Sequence, residues 1–368
     1  MKRGLSRKNF LSKTGIILAS TPFIASSGFP NILLPKKKEK LGVALVGLGS
    51  YSNGQLAPAL QLTEHCELKG IVTGTPLKIP VWQDRYNIPD SNVYNYQTMH
   101  EIANNDDIDI VYIVLPTGLH TKYSIIGAEA GKHVWCEKPM AKTVAECQAI
   151  INAVTQNKVQ LTIGYRMQHE PNTKTIIGYT KSKKFGAVKE VNTGAGYNGG
   201  HQKGNWRASA ELGGGAMYDM GVYPLNAARY STQEEPIAVS GIQSSQRKEM
   251  YDEVDETTEF KLWFPSGAIA NGATSFGKSM GNLEVTCENG WYKLQPFQSY
   301  RGVRGEVSDG TLLPADPDNQ QARQMDNDAL AIKENSKPIV PGEEGLRDIA
   351  IIEAIQESSK KGGIKIQL

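Results

Sequence analysis

The feature that most constrains the fold is an alternation of buried apolar runs with helical patterns between residues 41 and 165. The segments 121–130 and 144–155 have the apolar spacing of amphipathic helices. Strands that alternate with helices build a parallel sheet with helices on its faces. The apolar runs typical of buried strands are Leu41–Gly47, Leu68–Thr73, Ile108–Leu115, His133–Cys136 and Gln160–Ile163. We therefore predict an α/β domain over residues 41–165.

Beyond Tyr165 the pattern changes to β-rich segments joined by polar turns. Strands without helices between them favour one open, mostly antiparallel sheet. Residues 318–335 and 343–359 then predict two closing helices, the second ending at Gly362-Gly363. The β-rich segments are Val188–Gly194, Ile237–Gln243, Thr258–Phe264, Ala268–Ser275 and Leu283–Cys287. The predicted fold class is α/β plus α+β, with the second domain over residues 166–368.

The first 40 residues differ from the rest in charge. They contain nine Lys/Arg and one acidic residue, which leaves 31 basic and 37 acidic residues and a net charge of −6 for the remainder. The sequence pI of 8.2 therefore reflects this segment and does not indicate a nucleic-acid surface.

The same segment predicts an export signal followed by a short arm. Basic residues precede a mildly apolar stretch, Phe10–Phe29, that is too polar for a stable membrane span. The run from Ser6 to Lys13 resembles a twin-arginine signal in which Lys8 replaces the second arginine. We expect a periplasmic protein. The alternative is a cytoplasmic enzyme with a basic tail.

Cysteine spacing indicates neither a metal centre nor a disulfide framework. The four cysteines, Cys66, Cys136, Cys147 and Cys287, are far apart and form no CxxC or Cys/His pattern. No metal ligand is predicted.

The first chemical motif follows the opening strand. Gly47 and Gly49 allow a tight turn and a close backbone approach, and Ser52 is small enough for helix–strand packing. Such a turn presents a helix N-terminus to a pyrophosphate. Together with Ser50 and Tyr51 it predicts a dinucleotide site, and the alternative is a plain strand-to-helix turn.

The end of the second strand bears on the choice of cofactor. An acid there would hold the ribose 2′-hydroxyl of NAD, but the chain has Thr73, Gly74 and then Lys78, with no acid before Asp84. Since a lysine attracts a 2′-phosphate, we predict NADP, with NAD less favoured. Alternatively, Thr73 and Lys78 are a turn and a solvated charge.

Two further strand ends carry polar motifs. Leu115, Pro116 and His120 follow one strand, and Glu137-Lys138-Pro139 follows another. Both motifs should lie at the carboxyl edge of the sheet, where open α/β folds bind ligands.

A third motif lies in the second domain. Three glycines at 213–215 precede a predicted helix that carries Asp219 and Tyr223. Residues four apart share one face of a helix, so this carboxylate and phenol can enter the same cavity. Taken singly, each is more often an exposed charge or a packed aromatic.

Glu137-Lys138-Pro139 at a strand end, with Gly49 upstream, resembles the Gfo/Idh/MocA family of NAD(P)-dependent oxidoreductases. The resemblance runs from about Leu41 to Ser359 and implies a catalytic set of Lys138, Asp219 and Tyr223. Tyrosine at 223, where histidine is commoner, is typical of the glucose–fructose oxidoreductase branch. Further residues shared with that branch are Leu115-Pro116, Ile163–Arg166, Trp206-Arg207 and Glu234–Pro236.

This resemblance implies hydride transfer from C1 of an aldose to NADP and on to a ketose. Tyr223 would exchange the proton, Lys138 would orient the hydroxyl, and Asp219 would position the sugar or Lys138. The resemblance also implies a homodimer or homotetramer. The residues expected at the cofactor are Gly47, Gly49, Ser50, Tyr51, Thr73, Gly74, Lys78, Leu115, Pro116, His120, Glu137, Lys138 and Arg166, and those at the substrate are Trp206, Arg207, Asp219 and Tyr223.

Three alternatives stay open. The arm over residues 30–40 is shorter than in that branch, so NADP could exchange freely, as in an ordinary dehydrogenase. Residues 198–205 match no known sugar-selective loop, and the sugar is not identified. An NAD-dependent glycosidase and a non-enzymatic binder share the fold.

Overall fold

The structure is a computed structural model that describes residues 38–201 and 204–368. The export signal predicted for residues 1–40 lies outside this range except for its last three residues, and it stays a prediction. No helix in the described part of the chain is long and apolar enough to cross a membrane. All four cysteines are buried free thiols.

Six parallel strands form the first sheet, sheet A. They are β1 (Leu41–Val46), β2 (Cys66–Val72), β3 (Val93–Tyr94), β4 (Ile110–Ile113), β5 (His133–Cys136) and β6 (Leu161–Ile163). The strand order is β3-β2-β1-β4-β5-β6, which is that of a Rossmann fold. Val46 is in register with both Val72 and Ile113, so the ends of β1, β2 and β4 meet at one edge. The predicted parallel sheet is confirmed.

Eight α-helices lie within the described ranges. They are α1 (Ala57–Leu60), α2 (Ile79–Tyr86), α3 (Thr117–Glu129), α4 (Val144–Gln156), α5 (Pro171–Ser182), α6 (Val222–Thr232), α7 (Gln320–Glu334) and α8 (Gly342–Lys360). A π turn over Ser52–Leu56 precedes α1, and another over Met217–Gly221 precedes α6. α3 begins four residues before the predicted Thr121, directly after Pro116.

The second sheet, sheet B, has nine strands. They are β7 (Val188–Asn198), β8 (Ala238–Ser244), β9 (Thr257–Trp263), β10 (Ile269–Ser275), β11 (Gly277–Cys287), β12 (Gly290–Leu294), β13 (Gly305–Val307), β14 (Leu312–Leu313) and β15 (Ile366–Gln367). Their order is β14-β13-β12-β11-β7-β10-β9-β8-β15, and only β7 and β10 pair in parallel. This confirms the mostly antiparallel prediction.

Helices cover one face of sheet B. α8 lies so close to β8 that a Cβ on Gly241 would come within 2.7 Å of the Ile355 side chain. The opposite face carries a mixed set of partly exposed side chains from neighbouring strands, which includes Ile242, Lys261, Asn271 and Lys293. Ile242 is still about half exposed on this second face, although the turn at Gly363 lies close to its side chain.

The last long helices return to sheet A. Met325 and Ala329 of α7 are fully buried in one cluster with Leu45, Ile71 and Trp135 of the sheet. Ile163 of β6 donates a backbone hydrogen bond to Val340, just before α8. The chain therefore returns from sheet B to sheet A with α7 and ends in sheet B with β15.

A buried ion cluster joins α6 to α8. The Arg229 guanidinium contacts Asp348 at 2.5 Å, Glu344 at 3.0 Å and Glu235 at 2.7 Å. Asn226 donates to the second Asp348 oxygen at 3.0 Å. Burial raises the pKa of Asp348 to about 6, although Arg229 acts in the opposite direction.

This pKa predicts how stability depends on pH. An unfolded aspartate titrates near pH ~3.9, so the folded state binds more protons between that pH and about 6. The protonation of Asp348 therefore adds most to the free energy of unfolding below pH ~4. This stabilisation, about 3 kcal/mol, is lost as the pH rises through about 6. Asp348→Asn removes this titration. In urea unfolding from pH 4 to 7, the wild type should lose stability relative to Asp348→Asn by about that amount; a constant difference would contradict the assignment.

Candidate active site

The glycine-rich turn after β1 is shaped for a ligand. Gly47 has a φ of +97°, and a Cβ there would lie 2.4 Å from the Val114 carbonyl oxygen, so glycine is required. Ser52 fixes the turn by donating to the Gly47 carbonyl at 2.6 Å. A Cβ on Gly49 would meet nothing within 4 Å, so the turn faces open space at the edge of sheet A. Backbone amides at the start of the following helix, which includes Ser50 and Tyr51, suit the phosphates of a dinucleotide.

Lys78 lies beside this turn. Its ammonium donates to the Leu48 carbonyl at 2.7 Å, which brings a positive charge from beyond β2 to the glycine-rich turn. Thr73 is buried, and its hydroxyl accepts from the Thr75 amide at 3.1 Å. Gly74 is exposed, and a Cβ there would come within 2.9 Å of the Tyr96 ring. The Lys78 ammonium suits an adenosine ribose with a 2′-phosphate, because a cation attracts that phosphate.

The end of β4 supports the turn from the other side. Leu115 packs under Gly47, where an added Cβ would approach its Cδ2 within 2.7 Å, and Pro116 is the N-cap of α3. His120 is buried, and its two ring nitrogens lie 2.8 Å from the Leu115 and Pro139 carbonyls. Burial lowers the pKa of His120, so its neutral ring donates to one of these carbonyls and packs between the two strand ends.

Glu137 is a buried carboxylate at the end of β5. It accepts from the Tyr112 hydroxyl at 2.7 Å and from the Lys138 amide at 3.3 Å. Burial raises its pKa despite these donors. Gly164 leaves room for it, since a Cβ there would lie 2.7 Å from a Glu137 oxygen. This packing fixes the backbone from which Lys138 extends.

Lys138 connects the two halves of the site. Its ammonium donates to the Asp219 backbone carbonyl at 2.6 Å and lies 4.6 Å from the centre of the Tyr223 ring. Asp219 is on the π turn and Tyr223 is on the first turn of α6, and both are buried. π turns are frequent at functional sites, because the widened backbone redirects carbonyls and side chains. The predicted Lys138, Asp219 and Tyr223 are therefore adjacent in space.

The Asp219 side chain faces a second cation. Arg207 donates to its carboxylate at 2.8 Å and lies 4.5 Å from the Trp206 ring. Burial, followed by the Asp219 charge, raises the pKa of Tyr197 on β7, and the Tyr197 hydroxyl lies 2.6 Å from the His201 ring. Arg207 and Asp219 offer polar groups that can bind hydroxyls, whereas Trp206 supports Arg207.

Arg166 lies beside the Tyr223 ring. It is 2% exposed, and its guanidinium carbon is 5.4 Å from the Tyr223 ring and 4.7 Å from the Tyr300 ring. It donates to the Ser299 carbonyl at 3.1 Å and to Gln320 of α7 at 2.5 Å. The Tyr300 ring in turn stacks on Tyr51 at 5.8 Å. Arg166 and Tyr51, which the sequence assigned to the cofactor, thus lie at the side of the cleft near Tyr223.

Three tyrosines at the site escaped the sequence analysis. Tyr112 is a polar residue inside an apolar strand, and that contrast was an available signal. Tyr197 lies near the end of a long strand, and Tyr300 in a loop without a motif. Their positions depend on contacts between distant segments. Among residues 38–201 and 204–368, no group of three or more His, Cys, Asp or Glu side chains could hold a metal ion.

Comparison with known proteins assigns the family. A model of the oxidoreductase family with an NAD-binding Rossmann fold matches residues 41–165, and the Gfo/Idh/MocA C-terminal domain matches residues 174–293. The chain belongs to the Gfo/Idh/MocA family. It is an oxidoreductase whose first domain is an NAD(P)-binding Rossmann domain, which confirms the family resemblance of its motifs.

Several relatives act on sugars. D-xylose 1-dehydrogenase [NADP(+)] of Haloarcula marismortui is 30% identical over 329 residues, which cover 86% of this chain and 90% of that protein. D-xylose 1-dehydrogenase (NADP(+)) 2 of Haloferax volcanii is 27% identical and covers 88% of this chain and 97% of that protein. The crystal structure of aldose-aldose oxidoreductase from Caulobacter crescentus complexed with glycerol superposes with a TM-score of 0.86 at 38% identity, covering 89% of this chain and 100% of that one.

Proposed function

We propose that this protein is an NADP-dependent sugar oxidoreductase that oxidises C1 of an aldose to the lactone. The observation that carries the proposal is the position of the Lys138 ammonium between the Tyr223 ring and Asp219, at the carboxyl edge of the Rossmann sheet. The NADP(+) xylose dehydrogenases and the aldose-aldose oxidoreductase among its relatives support both the substrate class and the cofactor.

Different residues of the site bind the cofactor, transfer the proton and bind the sugar. The glycine-rich turn and Lys78 would hold the phosphates of NADP, which when bound would supply the hydride chemistry. Tyr223 takes the proton of the C1 hydroxyl as general base and returns it in the reverse direction. Lys138, whose ammonium lies 4.6 Å from the centre of the Tyr223 ring, orients that hydroxyl. Asp219 and Arg207 bind neighbouring hydroxyls of the sugar.

The second half-reaction reduces another sugar with the same cofactor. The aldose-aldose oxidoreductase supports a second aldose as acceptor, whereas the glucose–fructose branch implies a ketose; both give a polyol. A second candidate, a dehydrogenase with exchanging NADP, is favoured by the two xylose dehydrogenases. The two are distinguished by whether NADP stays with the protein through desalting and gel filtration.

Replacing the phenol tests the chemistry. Tyr223→Phe keeps the ring beside Lys138 and Arg166 but removes the oxygen that exchanges the proton. Aldose oxidation should slow by about 10²- to 10⁴-fold in kcat, while NADP binding is retained. Stopped-flow measurement of NADPH formation is the readout, with Tyr179→Phe, on α5, as the matched control. An unchanged rate would remove Tyr223 from proton transfer.

Replacing Lys78 tests the cofactor. Lys78→Glu puts a carboxylate where a 2′-phosphate would bind, so the NADP Kd should rise about tenfold or more while the NAD Kd changes little. Titration of both nucleotides, followed by fluorescence, measures the two constants. Lys181→Glu on α5 makes the same charge change elsewhere on the surface and serves as the control. Equal losses for the two nucleotides would mean that Lys78 contacts no 2′-phosphate.

We also propose that the chain forms a homo-oligomer through the face of sheet B opposite α8, which carries partly exposed side chains. Ile242 on that face is 48% exposed, and the adjacent strands present Asn271 and Lys261 beside it. Antiparallel sheets in symmetric assemblies commonly bury such a face against a second copy. Light scattering should give a dimer or tetramer, and Ile242→Asp should shift it toward monomer. A wild-type monomer of about 40 kDa at micromolar concentration would refute this.

A further inference from the structure

Tyr51 and Tyr300 connect the two sheets across the mouth of the site. Tyr51 lies at the start of the helix that follows the glycine-rich turn, and Tyr300 lies in the loop between β12 and β13. Their ring centroids are 5.8 Å apart with planes inclined by 28°, an offset-stacked geometry. No covalent or secondary-structure constraint joins these segments, so the ring pair is itself a contact that can form and break.

Hydrogen bonds from Arg166 hold the loop that carries Tyr300. Arg166 donates to the backbone carbonyls of Gln298 and Ser299 and lies under the Tyr300 ring at 4.7 Å. Tyr300 is nevertheless 43% exposed, so it forms part of the outer wall. The Tyr300 ring therefore contacts two groups. One is the buried Arg166 guanidinium beside Tyr223, and the other is the ring of Tyr51 at the glycine-rich turn.

These positions suggest what the pair does. The glycine-rich turn would hold the pyrophosphate of the cofactor, and the Lys138–Tyr223 pair would border its nicotinamide. Because Tyr51 is on the turn and Tyr300 contacts Arg166 beside Tyr223, the stacked pair links these two places. We propose that Tyr51 and Tyr300 form a clasp that slows the release of NADP(H) between the two half-reactions. This inference rests on the proposed function and extends it to cofactor retention, which the sequence left open because the N-terminal arm is short.

The test measures NADPH release from the full-length holoenzyme. NADPH dissociation is followed by its fluorescence in stopped flow after excess NADP is added, and retained nucleotide is assayed after gel filtration. Tyr300→Leu removes both ring contacts, and release should become about tenfold faster. Tyr300→Phe keeps both ring contacts and is the matched control, with release within about threefold of the wild type. Tyr51→Leu removes the partner ring and should accelerate release comparably.

The double variant separates a clasp from two independent contacts. If the rings act as one unit, Tyr51→Leu with Tyr300→Leu should release NADPH no faster than the faster single variant. Unchanged release in both single leucine variants would overturn the clasp, as would multiplicative effects in the double variant. If Tyr300→Leu does not fold by circular dichroism, Tyr51→Leu and Tyr300→Ser provide the same comparison. Failure of the proposed function itself is distinct: the wild type would then bind no NADP, or would oxidise no aldose while retaining it.

Discussion

The Lys138 ammonium links the two domains at this site, because it lies against the Asp219 carbonyl and the Tyr223 ring. It extends from the end of β5, and the Asp219 carbonyl that it contacts belongs to the π turn before α6. A lysine at a strand end is ordinarily hydrated, so a 2.6 Å contact to a carbonyl beside an aromatic ring requires both partners to be placed in advance. The placement of β5 relies on His120 and Glu137, and that of α6 on the Arg229 cluster with α8. The site therefore depends on two buried polar clusters that lie behind it.

The charged side chains of the cleft have partners close by. Lys138, Arg166 and Arg207 supply three cations, and Glu137 and Asp219 supply two carboxylates. Isolated buried charges are costly, whereas charges with hydrogen-bonded partners are tolerated. Arg207 is paired with Asp219, and Arg166 is held by carbonyl oxygens and by two tyrosine rings. Three basic side chains against two acidic ones suit a site whose expected occupant carries phosphates.

The parts of the fold that follow from local pattern were predictable from the sequence. Buried strands alternating with helices led to the Rossmann sheet, and the motifs at Gly47, Lys138 and Asp219 came from local residue types. α5, β3 and the short strands β12–β15 were missed, because their apolar patterns are brief. The packing of α7 against sheet A was not predictable either, since Met325 and Ala329 look like any amphipathic face until the partner sheet is known. Tyr300 was missed for the same reason, because it has no neighbouring motif and its packing partners are distant in sequence.

Sequence distance also explains why the roles of single residues were harder to assign than their positions. His120 follows a strand end, as a ligand-binding residue would, yet its two nitrogens lie on the Leu115 and Pro139 carbonyls. A pattern locates a residue at an edge but does not state which neighbours satisfy its polar atoms. Buried polar atoms must find partners, and at this edge many of those partners are backbone carbonyls of other strands and loops. The polar residues at the carboxyl edge are thus of two kinds, those that hold the edge together and those left to meet a ligand, and only the contacts between distant segments separate them.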